Sequence, residues 1–312
     1  METMKAVRIH TYGGPEVLVY EEVLRPQPAA GEVLVRVEAA SVNPVDWKIR
    51  EGYLREMLPH RLPLIMGWDV SGVVEATGAG VTRFRAGDEV FSRPDLLRDG
   101  TYAEYVVIRE TEAALKPKSL DHLHAAAIPL AGITAWKSLI EAAGVTPGQR
   151  VLIHGASGGV GSYAVQLAKW RGAQVIATAS AHNHDYLLRL GADEVIDYRT
   201  VRFEEVVREA DVVFDTIGGD TQERSWRVLK TGGILVSIIT PPPAEKAAAH
   251  GVRQAFVFIQ PDAAVLAELA KLADAGKLRP SLEAVLPLAE ARRAQELSQG
   301  GHVRGKIALK VV

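Results

Sequence analysis

The 312-residue chain contains no cysteine. That absence excludes disulfides, thiolate zinc sites, iron–sulfur clusters and a cysteine nucleophile together. It also lacks an excess of charge of either sign. Thirty-six Lys+Arg against 38 Asp+Glu leave a formal net charge of -2, so no basic stripe offers a footprint for nucleic acid. No run of about 18 apolar residues occurs, and the stretch Met1 to Val7 forms no apolar signal region. These absences lead to the expectation of a soluble, cytoplasmic protein with no membrane and no nucleic-acid partner.

What is present is length enough for two domains, each able to bury its own core. The first third reads as strands. Glu32 to Ala39 puts Val33, Val35 and Val37 on one face and Leu34, Arg36 and Glu38 on the other, the period of a half-buried strand. Frequent glycines between such segments suggest a strongly curved sheet or small barrel. After about residue 122 the pattern changes. Strand and helix alternate from Arg150 to Ile239, which implies parallel pairing with right-handed crossovers and a doubly wound sheet. Further strands at Gln254–Ile259, Leu282–Leu286 and Lys306–Val311 and two more helices close the chain.

The strongest local signal is the run Val151 to Gly161. An apolar strand ends in His154-Gly155-Ala156-Ser157-Gly158-Gly159-Val160-Gly161, and a helix follows. The frame Ala156-x-Gly158-x-x-Gly161 approximates the dinucleotide fingerprint, with Ala156 in place of the first glycine. Gly158 permits close approach of a pyrophosphate, Gly161 permits helix–strand packing, and the helix N-terminus supplies N–H donors. No Gly-Lys-Ser/Thr follows, so the run is not a P-loop. An NAD site ordinarily carries an acidic residue at the end of the second strand, about 20 residues on. Here that strand ends Ala177-Thr178-Ala179-Ser180-Ala181-His182-Asn183-His184, with Tyr198 and Arg199 after the next strand. Hydroxyls and imidazoles in place of a carboxylate favour NADP(H) over NAD. A solvated helix start is the alternative for the two histidines, and a metal site is disfavoured for want of a third ligand.

Several segments together resemble one family over nearly the whole chain. They are Ala40-Ser41-Val42-Asn43-Pro44-Val45-Asp46, Gly67-Trp68-Asp69-Val70-Ser71-Gly72, Ala86-Gly87-Asp88-Glu89-Val90-Phe91 and Gly100-Thr101-Tyr102-Ala103-Glu104-Tyr105. To these add Pro129 to Ala135, the glycine turn, Phe214 to Gly219 and Arg304-Gly305-Lys306. The ordered set resembles the medium-chain dehydrogenase/reductases, in the zinc-independent quinone oxidoreductase (zeta-crystallin-like) branch. The resemblance implies an α/β fold: a GroES-like β-barrel catalytic domain at 1–122 and 261–312, and a Rossmann NADP-binding domain at 123–260. Zinc-dependent relatives carry a cysteine where this chain has Asn43 and Gly-His-Glu where it has Gly67-Trp68-Asp69. Asn43 is a feeble zinc ligand and Trp68 none, so no metal is expected; Trp68 fills the vacated space or simply packs the core.

The chemistry so implied is hydride transfer from NADPH to a small-molecule quinone or α,β-unsaturated carbonyl. By carry-over, Asn43, Asp46 and Tyr53 are the catalytic candidates. Asn43 would donate to a substrate oxygen, Asp46 would orient its neighbours, and the Tyr53 phenol would donate to a carbonyl or enolate. Turn chemistry around Pro44 and a surface tyrosine are the competing readings. The cofactor candidates are Thr134, the turn Ala156, Ser157, Gly158, Gly159, Val160 and Gly161, then Ser180, His184 and Tyr198 for a 2′-phosphate, and Phe258 beside the nicotinamide. Pairing of the Arg253–Ile259 edge strand across a two-fold axis leads to an expected homodimer. Two other functions share this pattern: an enoyl-thioester reductase, with Lys48, Arg50, Arg55 and Arg61 offering a basic groove, and a non-catalytic NADPH-binding sensor or structural protein.

Overall fold

The computed structural model describes residues 2–311. The chain forms two compact units: residues up to Leu130 together with those from Gln260 onward, and Ala131–Ile259.

In the first unit, β1 (Thr3–Ile9) pairs antiparallel with β2 (Leu18–Leu24) on one side. The longest strand, β3 (Glu32–Val42), runs directly into helix α1 (Pro44–Arg50). Pro44 suits the first helical position because its missing N–H is one that a helix start leaves unpaired. The two-residue β4 (Leu64–Ile65) closes the three-stranded sheet on β1. Strands β5 (Val70–Thr77) and β7 (Tyr105–Arg109) pair with β3, while β6 (Glu89–Ser92) and β8 (Ala113–Leu115) extend the sheet beyond β5. Val33, Val35 and Val37 all point into one core with Val70, Val74, Val90, Val106 and Ile108, as the two-residue period requires. From Ala39 to Val42 every residue of β3 is buried, so this end of the strand is covered on both faces. A second core holds Trp68, Tyr102, Leu64, Met66, Ile307 and Leu309. The described strands of this unit lie in a three-stranded and a seven-stranded sheet, with a single bridge between Ala6 and Ala103.

Helix α2 (His122–Ala126) packs on β3 and β5 and belongs with this first unit. The chain therefore enters the second unit within α3 (Pro129–Trp136), later than the expected 122/123 boundary. The reason is the apolar face of Ala125 and Ala126, which is fully buried on the sheet.

The second unit holds six parallel strands: β9 (Arg150–Ile153), β10 (Gln174–Ala179), β11 (Glu194–Asp197), β12 (Ala210–Asp215), β13 (Leu229–Ser237) and β14 (Arg253–Phe256). Their order is β11-β10-β9-β12-β13-β14, the doubly wound 3-2-1-4-5-6 arrangement. Helices α4 (Gly159–Trp170), α5 (His184–Leu190), α6 (Phe203–Val206), α7 (Gly219–Ser225) and α8 (Ala244–Ala249) make the crossovers. The strand order reverses at β9, where chain leaves it for β10 on one side and β12 lies on the other. That switch point is where such sheets bind ligands. The last strand is shorter than the expected Gln254–Ile259, ending at Phe256, so Phe258 lies beyond it and is exposed.

The chain then returns to the first unit. Helix α9 (Ala263–Asp274) is followed by β15 (Leu282–Pro287), α10 (Ala291–Gln299) and β16 (Lys306–Lys310). Strand β16 inserts between β15 and β3, pairing Val42 with Ile307 and Ser41 with Ala308. This register sets Lys306 beside the end of β3.

Candidate active site

In the first unit the junction of β3 and α1 carries a buried polar cluster. Asn43 occupies the N-cap position of α1 in an extended conformation. Its backbone N–H donates to Asp46 Oδ2 at 2.8 Å, one half of a capping box. The side chain is turned elsewhere: Asn43 Nδ2 donates to Asp69 Oδ2 at 2.7 Å, and Asn43 Oδ1 accepts from Lys306 Nζ. Lys306 Nζ also donates to the Val42 carbonyl at 2.8 Å and lies 3.4 Å from Asp69 Oδ2. Asp69 further accepts from Ser41 Oγ at 2.8 Å and from the Leu130 backbone N–H at 2.7 Å. Burial pushes Asp69 above and Lys306 below their ordinary ranges, each opposed by the charge of the other.

Asp46 is fully buried, and its Oδ2 takes a second hydrogen bond from the Tyr102 hydroxyl at 2.8 Å. Its Oδ1 is buried without a hydrogen-bond partner among the described residues. Desolvation dominates over both hydrogen bonds and raises the carboxyl to about 7. The same burial, with the Asp46 carboxylate alongside, pushes the Tyr102 phenol well up. Arg93, nearly fully buried, is lowered to about 10 by desolvation, with Asp69 the largest opposing charge. Trp68 is completely enclosed in the core beside these groups, its indole Nε1 donating to the Arg98 carbonyl at 3.3 Å.

Of the sequence candidates here, Asn43 and Asp46 therefore share one cluster. Tyr53 does not join it. It stands 69% exposed past the end of α1, edge-on to Trp47, with a hydrogen bond to Glu51 that raises its phenol. Ser41, Asp69, Tyr102 and Lys306 belong to the cluster, although sequence alone does not single them out as site residues. They lie in the quoted motifs, but only β-sheet register brings residues 41, 69, 102 and 306 to one place.

In the second unit the turn after β9 sits at the switch point. Gly155, not Ala156, supplies the left-handed residue, with φ of +63°. A Cβ there would come 2.4 Å from Thr216 Oγ1, so the glycine needed for the tight turn lies one position ahead of the fingerprint frame. At Gly161 a Cβ would lie 2.3 Å from the Gly155 carbonyl oxygen and 2.7 Å from Ala156 Cα, so this glycine carries the helix–strand contact. Gly158 is different. A Cβ there would meet protein only at 3.4 Å, and no side chain caps the start of α4. Open space and uncapped N–H groups at a helix N-terminus are what a pyrophosphate requires, so this turn fits a dinucleotide.

Strand β10 leads into the segment that the sequence reading assigns to the ribose. Ser180 begins a single tight turn over Ala181–Asn183, and its Oγ lies 3.2 Å from His182 Nδ1. Asn183 Nδ2 donates to Ser157 Oγ at 3.1 Å, tying this segment to the glycine turn. Asn183 Oδ1 and His184 Nε2 are buried atoms with no hydrogen-bond partner among the described residues. Asn183 belongs to the Ala177–His184 stretch read from the sequence, and its buried Oδ1 faces no partner among the described residues. Tyr198 is exposed beyond β11, and Thr134 is buried in α3. At the end of β12, Asp215 accepts from the Ile217 and Gly218 N–H groups at 3.0 and 2.8 Å and from Gln222 and Ser237, fixing the neighbouring turn.

Comparison with known proteins follows this division. Residues 29–118 match the alcohol dehydrogenase GroES-like domain family, and residues 190–309 match a family described as zinc-binding dehydrogenase. The chain is 36% identical to the mitochondrial NAD(P)H oxidoreductase RTN4IP1 of Mus musculus, over 99% of this chain and 89% of that one. It is 34% identical to a chloroplastic quinone-oxidoreductase homolog of Spinacia oleracea, over 98% of each. Among solved structures, the Escherichia coli quinone oxidoreductase complexed with NADPH superposes with a TM-score of 0.90 at 30% identity, over 98% of this chain and all of that one. The names of the mouse and spinach relatives overturn the expectation of a cytoplasmic protein, since these near full-length relatives are mitochondrial and chloroplastic. Net charge and the lack of cysteine do not distinguish one reducing aqueous compartment from another. Among the described residues no helix is long and apolar enough to cross a membrane. With its GroES-like and Rossmann-like parts and this extent of identity, the chain belongs to the quinone oxidoreductase branch of the medium-chain dehydrogenase/reductases and is an NAD(P)H-dependent oxidoreductase.

Proposed function

We propose that this oxidoreductase uses NADPH to reduce a small-molecule quinone or α,β-unsaturated carbonyl, and that it does so without zinc. The observation that carries this reading is the engagement of Asn43. In the position where zinc-dependent relatives hold a cysteine, its amide oxygen accepts from Lys306 and its nitrogen donates to Asp69. A divalent cation placed there would face an ammonium group and the N–H side of an amide, which is the wrong donor set for zinc. The matched family described as zinc-binding covers residues 190–309 and so does not reach Asn43 or Trp68.

Without a Lewis acid, acceptors that form their own stabilised anion are favoured. Bound nicotinamide supplies the hydride. The protein's part is to orient the acceptor and to meet the enolate or hydroquinone oxygen with donors. Asn43 retains one amide N–H for that task, and Asp46 acts as a positioning residue by holding the start of α1. Tyr53 is the outlying donor candidate, exposed and hydrogen-bonded to Glu51. In the second unit, Thr134, Ala156 to Gly161, Ser180, His184, Tyr198 and Phe258 are assigned to the cofactor. No carboxylate lies between Ala177 and His184; the first, Asp185, is exposed in α5. That favours a ribose bearing a 2′-phosphate.

The thioester reading loses one of its supports. Arg50 has no exposed side chain and is held by Glu51, Gln295, Gln299 and the Gly13 carbonyl, so it is not available to a phosphopantetheine arm. The position of β14 at the end of the six-stranded sheet, with no further strand paired to it among the described residues, supports a homodimer. A stable monomer in light scattering would remove that part. The activity is tested by nicotinamide absorbance with NADPH and NADH in parallel, against quinones, enals, cyclic enones and crotonyl-coenzyme A. NADPH-selective turnover of quinones or enones is the expected result. Selective turnover of crotonyl-coenzyme A, or tight NADPH binding with no turnover of any acceptor, would overturn it.

A further inference from the structure

A phosphate is met by donors, and a hydroxyl can serve as one only if its hydrogen is not already spent within the protein. Around the glycine turn the hydroxyls of Ser162, Thr216 and Thr178 are spent. Ser162 Oγ donates to the Gly159 carbonyl at 3.0 Å, and Thr216 Oγ1 donates to the His154 carbonyl at 2.8 Å. Ser225 Oγ donates to the Thr221 carbonyl at 2.7 Å and so accepts from His154 Nε2. His154 Nδ1 is then the acceptor for the Thr178 hydroxyl at 3.0 Å.

Ser157 is the opposite case. Its Oγ accepts from Asn183 Nδ2 at 3.1 Å, which fills a lone pair and leaves the hydroxyl hydrogen without an acceptor among the described residues. The residue is half-buried and immediately precedes Gly158, where α4 begins without a side-chain cap and an added Cβ would meet open space. The amide that sets this polarity is itself fixed. Asn183 is 4% exposed, and its backbone N–H closes the tight turn onto the Ser180 carbonyl at 2.9 Å. It occupies the N-cap position of α5, where an asparagine side chain ordinarily caps the helix, yet it makes no such bond. Its Nδ2 is turned to Ser157 instead, and its Oδ1 is buried without a hydrogen-bond partner among the described residues. Giving up the cap and leaving a buried oxygen unpaired both cost stability, and one bond to a half-exposed hydroxyl does not offset them.

We propose that Asn183 is a positioning residue for the cofactor: by donating to Ser157 Oγ it holds that hydroxyl as a donor to the pyrophosphate. An oxygen that accepts from an amide is also the stronger donor, because the two bonds polarise one another. This role rests on the reading that the glycine turn takes a dinucleotide. It does not depend on the choice between NADPH and NADH, which share the pyrophosphate.

The test is a double-mutant cycle on Ser157→Ala and Asn183→Leu, read as dissociation constants for NADPH and NADH from nicotinamide fluorescence. Leucine keeps the shape of asparagine and donates nothing. Ser157→Ala should weaken binding about tenfold and Asn183→Leu about threefold or more, by equal factors for NADPH and NADH, with urea midpoints confirming folded protein. In the Ser157→Ala background, Asn183→Leu should add less than about twofold, because the hydroxyl it acts through is gone. Asn183→Asp draws the hydroxyl hydrogen onto its own carboxylate and should weaken NADH at least as much as Asn183→Leu. With any acceptor that is turned over, KM for the cofactor should rise while kcat holds, as for a bond made equally in ground and transition states. Unchanged affinity in Ser157→Ala, or in both Asn183 variants, overturns the proposal. So does full additivity in the cycle, and so does a loss confined to NADPH, which would put the contact at the 2′-phosphate. Gly158→Ala separates the proposal from the reading beneath it. Weakened binding there with no change in the Ser157 and Asn183 variants defeats the proposal alone, whereas no change in any of them defeats the dinucleotide turn as well.

Discussion

Replacing Asp46 by asparagine removes a charge from the fully buried end of α1 while leaving the shape and both hydrogen bonds available. The amide oxygen of the Asp46→Asn variant can still accept from the Asn43 N–H and the Tyr102 hydroxyl, the two donors that now meet Oδ2. The fold raises the carboxyl from 3.8 to about 7, so its ionisation costs about 4 kcal/mol more in the native state than in the unfolded chain. The sign follows from linkage. A raised native value favours folding below the unfolded value and loses that contribution as pH climbs through the native one. Between pH 5 and pH 8, wild type should therefore lose about 3 kcal/mol from this one group, and Asp46→Asn should not. Urea denaturation of both proteins across that range reads this term together with its coupling to Asp69 and Lys306, the charged groups that act on Asp46. The variant should gain on wild type steadily up to about pH 7 and then hold a constant lead. A stability difference that is flat from pH 5 to pH 8 would refute the reasoning, because Asp46 would then not titrate in the window that its burial dictates.

The glycine turn gives a paired test. Gly161→Ala forces a Cβ to within 2.3 Å of the Gly155 carbonyl oxygen and should cost about 1–3 kcal/mol of stability, read from urea midpoints. Gly158→Ala meets protein only at 3.4 Å and should leave stability within about 0.5 kcal/mol, while NADPH affinity measured by fluorescence titration falls by an order of magnitude or more. Lys306→Met leaves Asp69 buried without its cation and should destabilise by about 3–5 kcal/mol, with Asp69→Asn in the same chain recovering much of the loss in a double-mutant cycle.

The second unit is readable because its signals are local. Each strand of the doubly wound sheet is a short apolar run followed by a helix, and chain order alone then dictates a parallel sheet. Even the misplaced glycine is instructive. The fingerprint frame assigns the tight turn to the residue occupied by Ala156, whereas the positive φ falls on Gly155. A pattern match keeps spacing but cannot say which residue of a glycine-rich run absorbs the strained dihedral. The edge strand is overextended in the sequence reading for a related reason: Val257 and Ile259 are apolar, but the ladder with β13 ends at Phe256.

The first unit's site is legible only in part, because its chemistry is assembled by register. Asn43 and Asp46 are neighbours in sequence, and helix-start logic alone links them. Lys306 reaches the same place only because β16 pairs with β3 so that Ile307 faces Val42. Asp69 arrives on the segment leading into β5, and Tyr102 on the loop before β7. Nothing in the spacing of positions 43, 69, 102 and 306 marks them as partners. Once they are together, the charges explain one another. Burial pushes the Asp69 carboxyl up, Lys306 is the largest influence against that, ahead of the donors Asn43, Leu130 and Ser41, and Lys306 is in turn held by the oxygen of Asn43. Asn43, one of the two residues that argue against a zinc site in the sequence, therefore also helps hold the cation paired with Asp69. Restoring a cysteine at 43 alone would leave that ammonium in place beside it. Recovery of metal binding should require the loss of Lys306 as well, a result that zinc titration of Asn43→Cys with and without Lys306→Met would show directly.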